Sequence, residues 1–197
     1  MFTGIVQAMG SVVENRLQDK SRKFTIDCSK LGSVLSIGES VSINGVCLTV
    51  EKNEDNLLSF TAVQETLDKS NLKDLEINSI VNLERAATLT TLLGGHLVTG
   101  HVDKKSKVIN IEENSNWTLL EISVEENDKK FLINKGSVTI NGVSLTISLI
   151  KHGSFEVNLI PQTLKETNLK YLKKNDFVNV EFDLIGKYVL NQKSIGQ

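Results

Sequence analysis

The sequence predicts an all-β fold made of two homologous, mostly antiparallel β domains of about a hundred residues each. Three observations predict it: a long internal repeat, an Asn-Gly pair at the same place in each copy, and short β-branched runs between turns. Helical patterns are short, with a turn or two expected after Glu65 and after Gln162. Several short strands per copy are typical of a small closed barrel or a sandwich.

The internal repeat divides the chain into two copies. The segment SVSINGVCLTV, which begins at Ser40, returns as SVTINGVSLTI at Ser137, 97 positions later. ETLDKSNL and QTLKETNL stand at the same shift, and Thr3–Gly4 matches Thr99–Gly100 at a shift of 96. Matches in the same order at a nearly constant shift indicate two copies of one fold. We therefore predict two domains and a tail, at 1–94, 95–185 and 186–197.

Each copy carries an Asn-Gly pair between two β-rich runs, Asn44–Gly45 in the first and Asn141–Gly142 in the second. Asn-Gly is the preferred pair for a two-residue turn in which both central residues have positive φ. The sequence therefore predicts one tight β-hairpin in each copy.

Strand alternation after each turn places two small polar residues on one face. They are Cys47 and Thr49 in the first copy, and Ser144 and Thr146 in the second, each pair roughly 7 Å apart along its strand. Such a pair either faces a ligand or belongs to the solvent-facing side of an ordinary strand. Its repetition in both copies favours a ligand.

The composition excludes several classes of function. The net charge is -2 and basic residues form no cluster larger than a dipeptide, which argues against a surface that tracks nucleic-acid phosphates. No apolar run approaches the roughly 18 residues of a membrane helix. The start MFTGIVQAMG lacks the features of a signal peptide, so we expect a cytoplasmic protein in which Cys28 and Cys47 are reduced thiols.

Titratable residues break the symmetry of the repeat. His101 corresponds to Ile5 and Asp183 corresponds to Ala86, while Cys47 corresponds to a serine. A symmetric frame with unlike reactive groups suits two similar ligands that are treated differently. His96 and His101 do not have the spacing of a zinc site, and a lone histidine is more often a structural hydrogen-bonding group than a catalyst.

The segments MFTGIV, GGHLVTGHVD, NGVCLT, NGVSLT, LIPQTL and VNLERA, spread over nearly the whole chain, closely resemble the alpha-type riboflavin synthases. The resemblance implies two six-stranded antiparallel Greek-key barrels and a short C-terminal helix that contacts other subunits. It also implies a homotrimer with active sites between subunits, and no cofactor or metal. The implied reaction is a dismutation, in which two molecules of 6,7-dimethyl-8-ribityllumazine exchange a four-carbon unit to give riboflavin and 5-amino-6-ribitylamino-uracil.

The resemblance also implies roles for individual residues. His101 would accept or shuttle a proton, Ser144 with Asp183 would activate a water or hydroxyl, and Cys47 would line the acceptor pocket. The implied substrate-binding residues are Phe2, Gly4, Ile5, Val6, Ser40, Cys47, Leu48, Thr49, Thr61, Ala62, Val63, Gln64, Glu65, Thr66, Gly100, His101, Val102, Lys135, Ser144, Leu145, Thr146, Asn158, Leu159, Ile160, Pro161, Gln162 and Thr163.

Two other functions are compatible with this pattern. One is a lumazine- or flavin-binding carrier of the same fold that catalyses nothing. The other is a structural module built of twin barrels, which would have no affinity for lumazines. Cys47, His101, Ser144 and Asp183 occur together, and this favours the enzyme because a carrier needs no reactive groups.

Overall fold

The structure is a computed structural model, and it describes residues 1–32 and 35–195. The first copy forms seven strands: β1 (Ala8–Gln18), β2 (Ser21–Asp27), β3 (Ser40–Ile43), β4 (Val46–Thr49), β5 (Lys52–Glu54), β6 (Leu57–Val63) and β7 (Ile80–Arg85). The second copy forms six: β8 (Lys104–Glu113), β9 (Thr118–Ser123), β10 (Ser137–Ile140), β11 (Val143–Ile150), β12 (Ser154–Leu159) and β13 (Phe177–Phe182). The all-β prediction and the tandem arrangement are confirmed.

The second copy is a closed antiparallel barrel with the strand order β10-β11-β12-β9-β8-β13. The first copy has the order β4-β3-β7-β1-β2-β6-β5, because the equivalent of β11 is split into β4 and β5. Backbone bonds at the split continue the pairing on both sides: Val50 N donates to the Glu39 carbonyl and Glu51 N to the Ser59 carbonyl, each at 2.9 Å. The backbone therefore follows the same path around the core in each copy.

The two Asn-Gly hairpins form as predicted. In the first, Asn44 and Gly45 have φ values of 48° and 83°, and in the second, Asn141 and Gly142 have 46° and 79°. Positive φ at both turn residues matches the right-handed twist of the strands on either side. The turns consequently fix the register of β3 with β4 and of β10 with β11.

Helices are short and lie between or after strands. They are α1 (Gln64–Lys69), α2 (Pro161–Glu166) and α3 (Leu184–Ile195), with short 3-10 helices at Ser29–Leu31, Asn71–Asp74, Glu126–Phe131 and Asn168–Tyr171. In the described part of the chain, no helix has the length and apolar character needed to cross a lipid bilayer.

Each barrel has its own apolar core. Alternate residues of β4 and β11 point inward, as the sequence predicts: Val46, Leu48, Val143 and Leu145 are all at least nine-tenths buried. Phenylalanine side chains fill the centres, Phe24 and Phe60 in the first barrel and Phe155 in the second. The polar faces of β4 and β11 are therefore turned out of the barrels, where a ligand can reach them.

A network of buried asparagines joins the two barrels. We call it the asparagine network, and its members are Asn44, Asn71, Asn82, Asn141, Asn168 and Asn179. The side-chain amide of Asn82 donates to the Asn141 carbonyl at 2.9 Å, and that of Asn179 donates to the Asn44 carbonyl at 2.8 Å. In turn, Asn71 N donates to Asn179 Oδ1 at 2.6 Å and Asn168 N donates to Asn82 Oδ1 at 2.7 Å. The bonds cross the interface in matched pairs, so the barrels are related by an approximate two-fold axis.

Backbone contacts lie close to this axis. Phe2 N donates to the Val98 carbonyl at 2.7 Å, and Val98 N donates back to the Phe2 carbonyl at 3.1 Å. The two hairpin turns also meet, because a Cβ added to Gly45 would lie 2.7 Å from Gly142 N. The barrels thus touch through backbone, which leaves no room for a side chain at Gly45 or Gly142.

Candidate active site

Two equivalent sites lie where the start of one repeat contacts the hairpin of the other. The Gly100 carbonyl accepts a hydrogen bond from Cys47 N at 2.8 Å, and the Gly4 carbonyl accepts one from Ser144 N at 2.7 Å. Both glycines have positive φ, and a Cβ on either would come within 2.6 Å of the facing Cys47 or Ser144 Cβ. We call the two places the Cys47 pocket and the Ser144 site.

The Cys47 pocket is a cavity of about 230 Å³ between β4, α1 and the segment that opens the second repeat. Its lining residues are Val46, Cys47, Glu65, Thr66, Lys69, Ser70, Gly100, His101 and Val102. Six of these are residues whose site role the sequence predicts. Hydroxyl, carboxylate and ammonium groups around a half-enclosed cavity suit a polar ligand.

Cys47 and His101 share this pocket although 54 positions separate them in the chain. The Cys47 side chain is half-buried, whereas His101 is exposed and its backbone N donates to Thr99 Oγ1 at 3.2 Å. The exposed imidazole is therefore free to turn toward a ligand beside the thiol.

The Ser144 site differs because the connection between the barrels crosses it. A Cβ on Gly95 would lie 2.2 Å from the Thr3 carbonyl oxygen and 2.7 Å from Ser144 Cβ, so this glycine permits the close approach. His96 follows, with Nδ1 2.7 Å from Ser144 Oγ and Nε2 3.3 Å from Thr139 Oγ1. When the imidazole proton is on Nε2, Nδ1 can accept the Ser144 proton, which is the arrangement of a hydroxyl activated by a base.

Burial lowers the pKa of His96 from its ordinary value of 6.5, while the negative charges of Asp183 and Glu181 oppose the shift. The neutral imidazole is therefore the main form at pH 7. A neutral histidine can accept a proton from Ser144, whereas a charged one cannot.

We expect this burial of His96 to make the protein less stable in acid. The unfolded chain takes up a proton on His96 near pH 6.5, but the folded chain does so at lower pH, so stability present above pH 6.5 is lost as the pH falls through the folded pKa. The His96→Asn variant should lose less stability than the wild type between pH 7.5 and pH 5.5, a window of about two units around the pKa of histidine. Urea unfolding at each pH measures this, with His152→Asn, at an exposed histidine, as control. The same acid loss in all three proteins would contradict it.

Asp183 lies near this site, but the structure shows no hydrogen bond between it and Ser144. Its Oδ1 instead accepts from Ile185 N at 3.0 Å, at the beginning of α3. This carboxylate caps the helix and acts on His96 through its charge. His96, rather than Asp183, is the direct partner of Ser144.

The other predicted site residues fall into two groups. The buried ones are Phe2, Gly4, Leu48, Ala62, Leu145 and Leu159. The exposed or half-buried ones are Ile5, Val6, Ser40, Thr49, Thr61, Val63, Gln64, Lys135, Thr146, Asn158, Ile160, Pro161, Gln162 and Thr163. Leu48 and Ala62 belong to the core of the first barrel, and Leu145 and Leu159 to that of the second. A ligand role for the residues of both groups stays a prediction.

Sequence reasoning missed His96 and Lys69. His96 lies three positions before the repeated Thr99–Gly100 pair, outside the segments that match between the two copies. The available signal was the pair of glycines before it, Gly94–Gly95, which allows close packing on another strand. Within the described residues, no group of three or more His, Cys, Asp or Glu side chains is arranged to hold a metal ion.

The chain is similar to known proteins over most of its length. A family model described as the lumazine binding domain matches residues 3–86 and again residues 99–183. The riboflavin synthases of Actinobacillus pleuropneumoniae and Bacillus subtilis (strain 168) are each 38% identical over 189 residues, which cover 96% of this chain and 88% of the relative. That of Mycobacterium bovis is 37% identical over 193 residues, covering 96% of both chains.

Solved structures of the same fold contain lumazine and flavin ligands. The crystal structure of LumP complexed with 6,7-dimethyl-8-(1'-D-ribityl) lumazine matches 92% of this chain and 98% of its own, with 27% identity and a TM-score of 0.83. LumP complexed with riboflavin matches 92% of this chain and 99% of its own, with 27% identity and a TM-score of 0.86. The fold is therefore one on which such heterocycles bind in related proteins.

Proposed function

This chain belongs to the riboflavin synthase family, and from that premise we propose that it transfers a four-carbon unit between two molecules of 6,7-dimethyl-8-ribityllumazine. The products are riboflavin and 5-amino-6-ribitylamino-uracil, and the enzyme is a transferase. Two identical substrates require two similar binding places. The duplication supplies them as the Cys47 pocket and the Ser144 site.

One observation carries this proposal: the two sites have the same backbone arrangement but carry different reactive side chains. Cys47 N donates to the Gly100 carbonyl at 2.8 Å and Ser144 N donates to the Gly4 carbonyl at 2.7 Å. Cys47 nevertheless carries a thiol, whereas Ser144 carries a hydroxyl bonded to His96. A dismutation needs this difference, because one lumazine gives up carbon atoms and the other receives them.

We assign the roles accordingly. His96 takes the Ser144 proton, and the activated hydroxyl, directly or through a water, adds to the donor ring. Asp183 stabilises the imidazolium that forms on His96 through its negative charge. In the Cys47 pocket, His101 accepts the proton that leaves the methyl group of the other lumazine, beside the Cys47 thiol. The heterocycle itself delocalises the resulting charge, so the protein mainly positions the rings and moves protons.

We further propose that residues 1–94 and 95–185 are the two lumazine-binding barrels, and that the tail contacts other subunits of a cytoplasmic homotrimer. The exposed face of α3 supports the assembly. Ile185, Tyr188 and Val189 recur at helical spacing on one face and are each at least half exposed. An apolar helix stripe of this kind is stabilised when it is buried against another copy.

The assembly can be tested at Tyr188, which is 65% exposed. Tyr188→Glu should convert the oligomer to monomers, because a buried carboxylate without a partner opposes association. Light scattering coupled to size exclusion measures the mass, and activity should fall along with it if sites are shared between subunits. Leu17→Glu, a charge placed at a 72% exposed position on the β1–β2 hairpin, is the control and should leave the mass unchanged. A Tyr188→Glu protein that keeps the wild-type mass would exclude α3 as the contact.

The function is tested by incubating the purified chain with 6,7-dimethyl-8-ribityllumazine alone and following the products by chromatography. Equal amounts of riboflavin and the pyrimidine are expected. Product formation without any added cofactor or metal would also test the expectation that none is required. No product despite saturating substrate would overturn the proposed enzyme.

A lumazine- or flavin-binding carrier is the second candidate, and the likeness to the LumP complexes favours it. The same incubation separates the two functions, because a carrier would bind lumazine tightly and release it unchanged. The riboflavin synthases that are 37% and 38% identical over 96% of this chain support the enzyme.

A further inference from the structure

Two buried glutamates hold the segments that open the two repeats. Glu84, in β7 of the first barrel, is 3% exposed. Its Oε1 accepts from Thr3 N at 2.6 Å and from Thr3 Oγ1 at 2.7 Å, and its Oε2 accepts from Gly4 N at 3.0 Å. Three donors thus converge on one carboxylate.

Glu181, in β13 of the second barrel, repeats this arrangement and is 2% exposed. Its Oε1 accepts from Thr99 N at 2.7 Å and from Thr99 Oγ1 at 2.6 Å, and its Oε2 accepts from Gly100 N at 3.0 Å. The donors and their order match those at Glu84, so the arrangement belongs to the shared frame of both barrels.

Each held segment then passes to the other barrel. Gly4 is held by Glu84 of the first barrel, and its carbonyl binds Ser144 N of the second. Gly100 is held by Glu181 of the second barrel, and its carbonyl binds Cys47 N of the first. The connections therefore cross the interface in opposite directions.

We propose that Glu84 and Glu181 are crossed positioning residues: Glu84 sets the position of Ser144, and Glu181 sets the position of Cys47. This rests on the proposed function only in taking Ser144 and Cys47 as the reacting side chains. Neither glutamate touches the substrate; each acts through a glycine whose carbonyl orders the start of the reactive strand.

A carboxylate suits this task better than an amide of the same shape. The backbone N–H groups of Thr3 and Gly4 each face one oxygen of Glu84, so the amide of a glutamine would turn its own N–H groups toward one of them. Hydrogen bonds to an ionised acceptor are also roughly twice as strong as neutral ones. Burial raises the pKa of Glu84, and the bonds from Thr3 and Gly4 oppose the shift by favouring the charged form.

The effect of each glutamate on the opposite barrel can be measured from the reactivity of a thiol at position 47 or 144. In the wild-type protein, alkylation of Cys47 reports on the Cys47 pocket. In a Cys47→Ser, Ser144→Cys protein, alkylation of the new thiol reports on the Ser144 site. Into each background we would introduce Glu84→Gln and Glu181→Gln separately, then follow alkylation by iodoacetamide with mass spectrometry. Cys28 provides an internal check on folding, because it is buried and its thiol pKa is raised to about 12.

We expect Glu181→Gln to speed the alkylation of Cys47 by about tenfold, the factor for loss of one charge-assisted hydrogen bond, and to leave the thiol at 144 unchanged. Glu84→Gln should do the reverse. Equal acceleration of both thiols, or acceleration in the barrel that carries the substitution, would overturn the proposal. General unfolding would expose Cys28 as well and so is recognised directly. The experiment needs no substrate, so its outcome is independent of whether the lumazine reaction occurs.

Discussion

The Ser144→Ala variant should lose about 100-fold or more in kcat while its dissociation constant for 6,7-dimethyl-8-ribityllumazine changes by less than about threefold. The reason is the 2.7 Å contact between Ser144 Oγ and His96 Nδ1, which the substitution removes without altering the backbone. His96 then has no hydroxyl to activate, but the other residues around the substrate ring are unchanged. Steady-state kinetics and an equilibrium titration monitored by lumazine fluorescence give the two quantities.

A second serine on the same strand provides the control. Ser148 also lies on β11, where its hydroxyl donates to the Glu156 carbonyl at 3.0 Å and does not contact His96. Ser148→Ala should keep kcat within about twofold of the wild type, since it loses only one ordinary hydrogen bond. If Ser144→Ala weakened binding as much as it slowed turnover, Ser144 would hold the substrate instead of taking part in the reaction.

The Gly45→Ala variant should lose about 3 kcal/mol of unfolding free energy, a large effect for a single added methyl group. Gly45 has φ of 83°, which disfavours a side chain, and a Cβ there would lie 2.7 Å from the backbone N of Gly142. Backbone cannot move aside as a flexible side chain can, so the barrels must separate slightly. Urea unfolding at neutral pH measures the loss.

Gly153 offers a matched control for this prediction. Its φ is 82°, nearly the same as that of Gly45, but a Cβ added there meets no atom within 4 Å. Gly153→Ala should therefore cost only the conformational strain, about 1 kcal/mol. The difference between the two variants isolates the contact between the barrels. Equal losses would mean that the turns do not press on each other.

The parts of the fold that could be predicted are those encoded by neighbours in the sequence. Asn44–Gly45 and Asn141–Gly142 specify their turns locally, through the positive φ that each pair adopts readily. Alternation then placed Cys47 and Ser144 on the outer faces of their strands, where the structure finds them half-buried. The internal repeat strengthened these predictions, because each pattern occurs at equivalent positions of the two copies.

The pairing of side chains across the site could not be predicted in the same way. His96 meets Ser144 only because the connection between the barrels crosses the second hairpin, a path that no local pattern encodes. The family resemblance implied that Ser144 acts together with Asp183, and this stays a prediction; in the structure the Asp183 carboxylate accepts a hydrogen bond from Ile185 N at the beginning of α3. Lys69 enters the Cys47 pocket from the end of α1, again through tertiary packing.

The asparagine network has a consequence for how the two halves can evolve. Gene duplication ordinarily frees one copy to accumulate changes while the other keeps its task. Here a mutation of Asn82 would strip a donor from the carbonyl of Asn141 in the opposite half, and a mutation of Asn179 would do the same to Asn44. Selection must therefore act on both halves together at these positions. The two copies accordingly carry the same residue at these equivalent positions, Asn44 with Asn141 and Asn82 with Asn179.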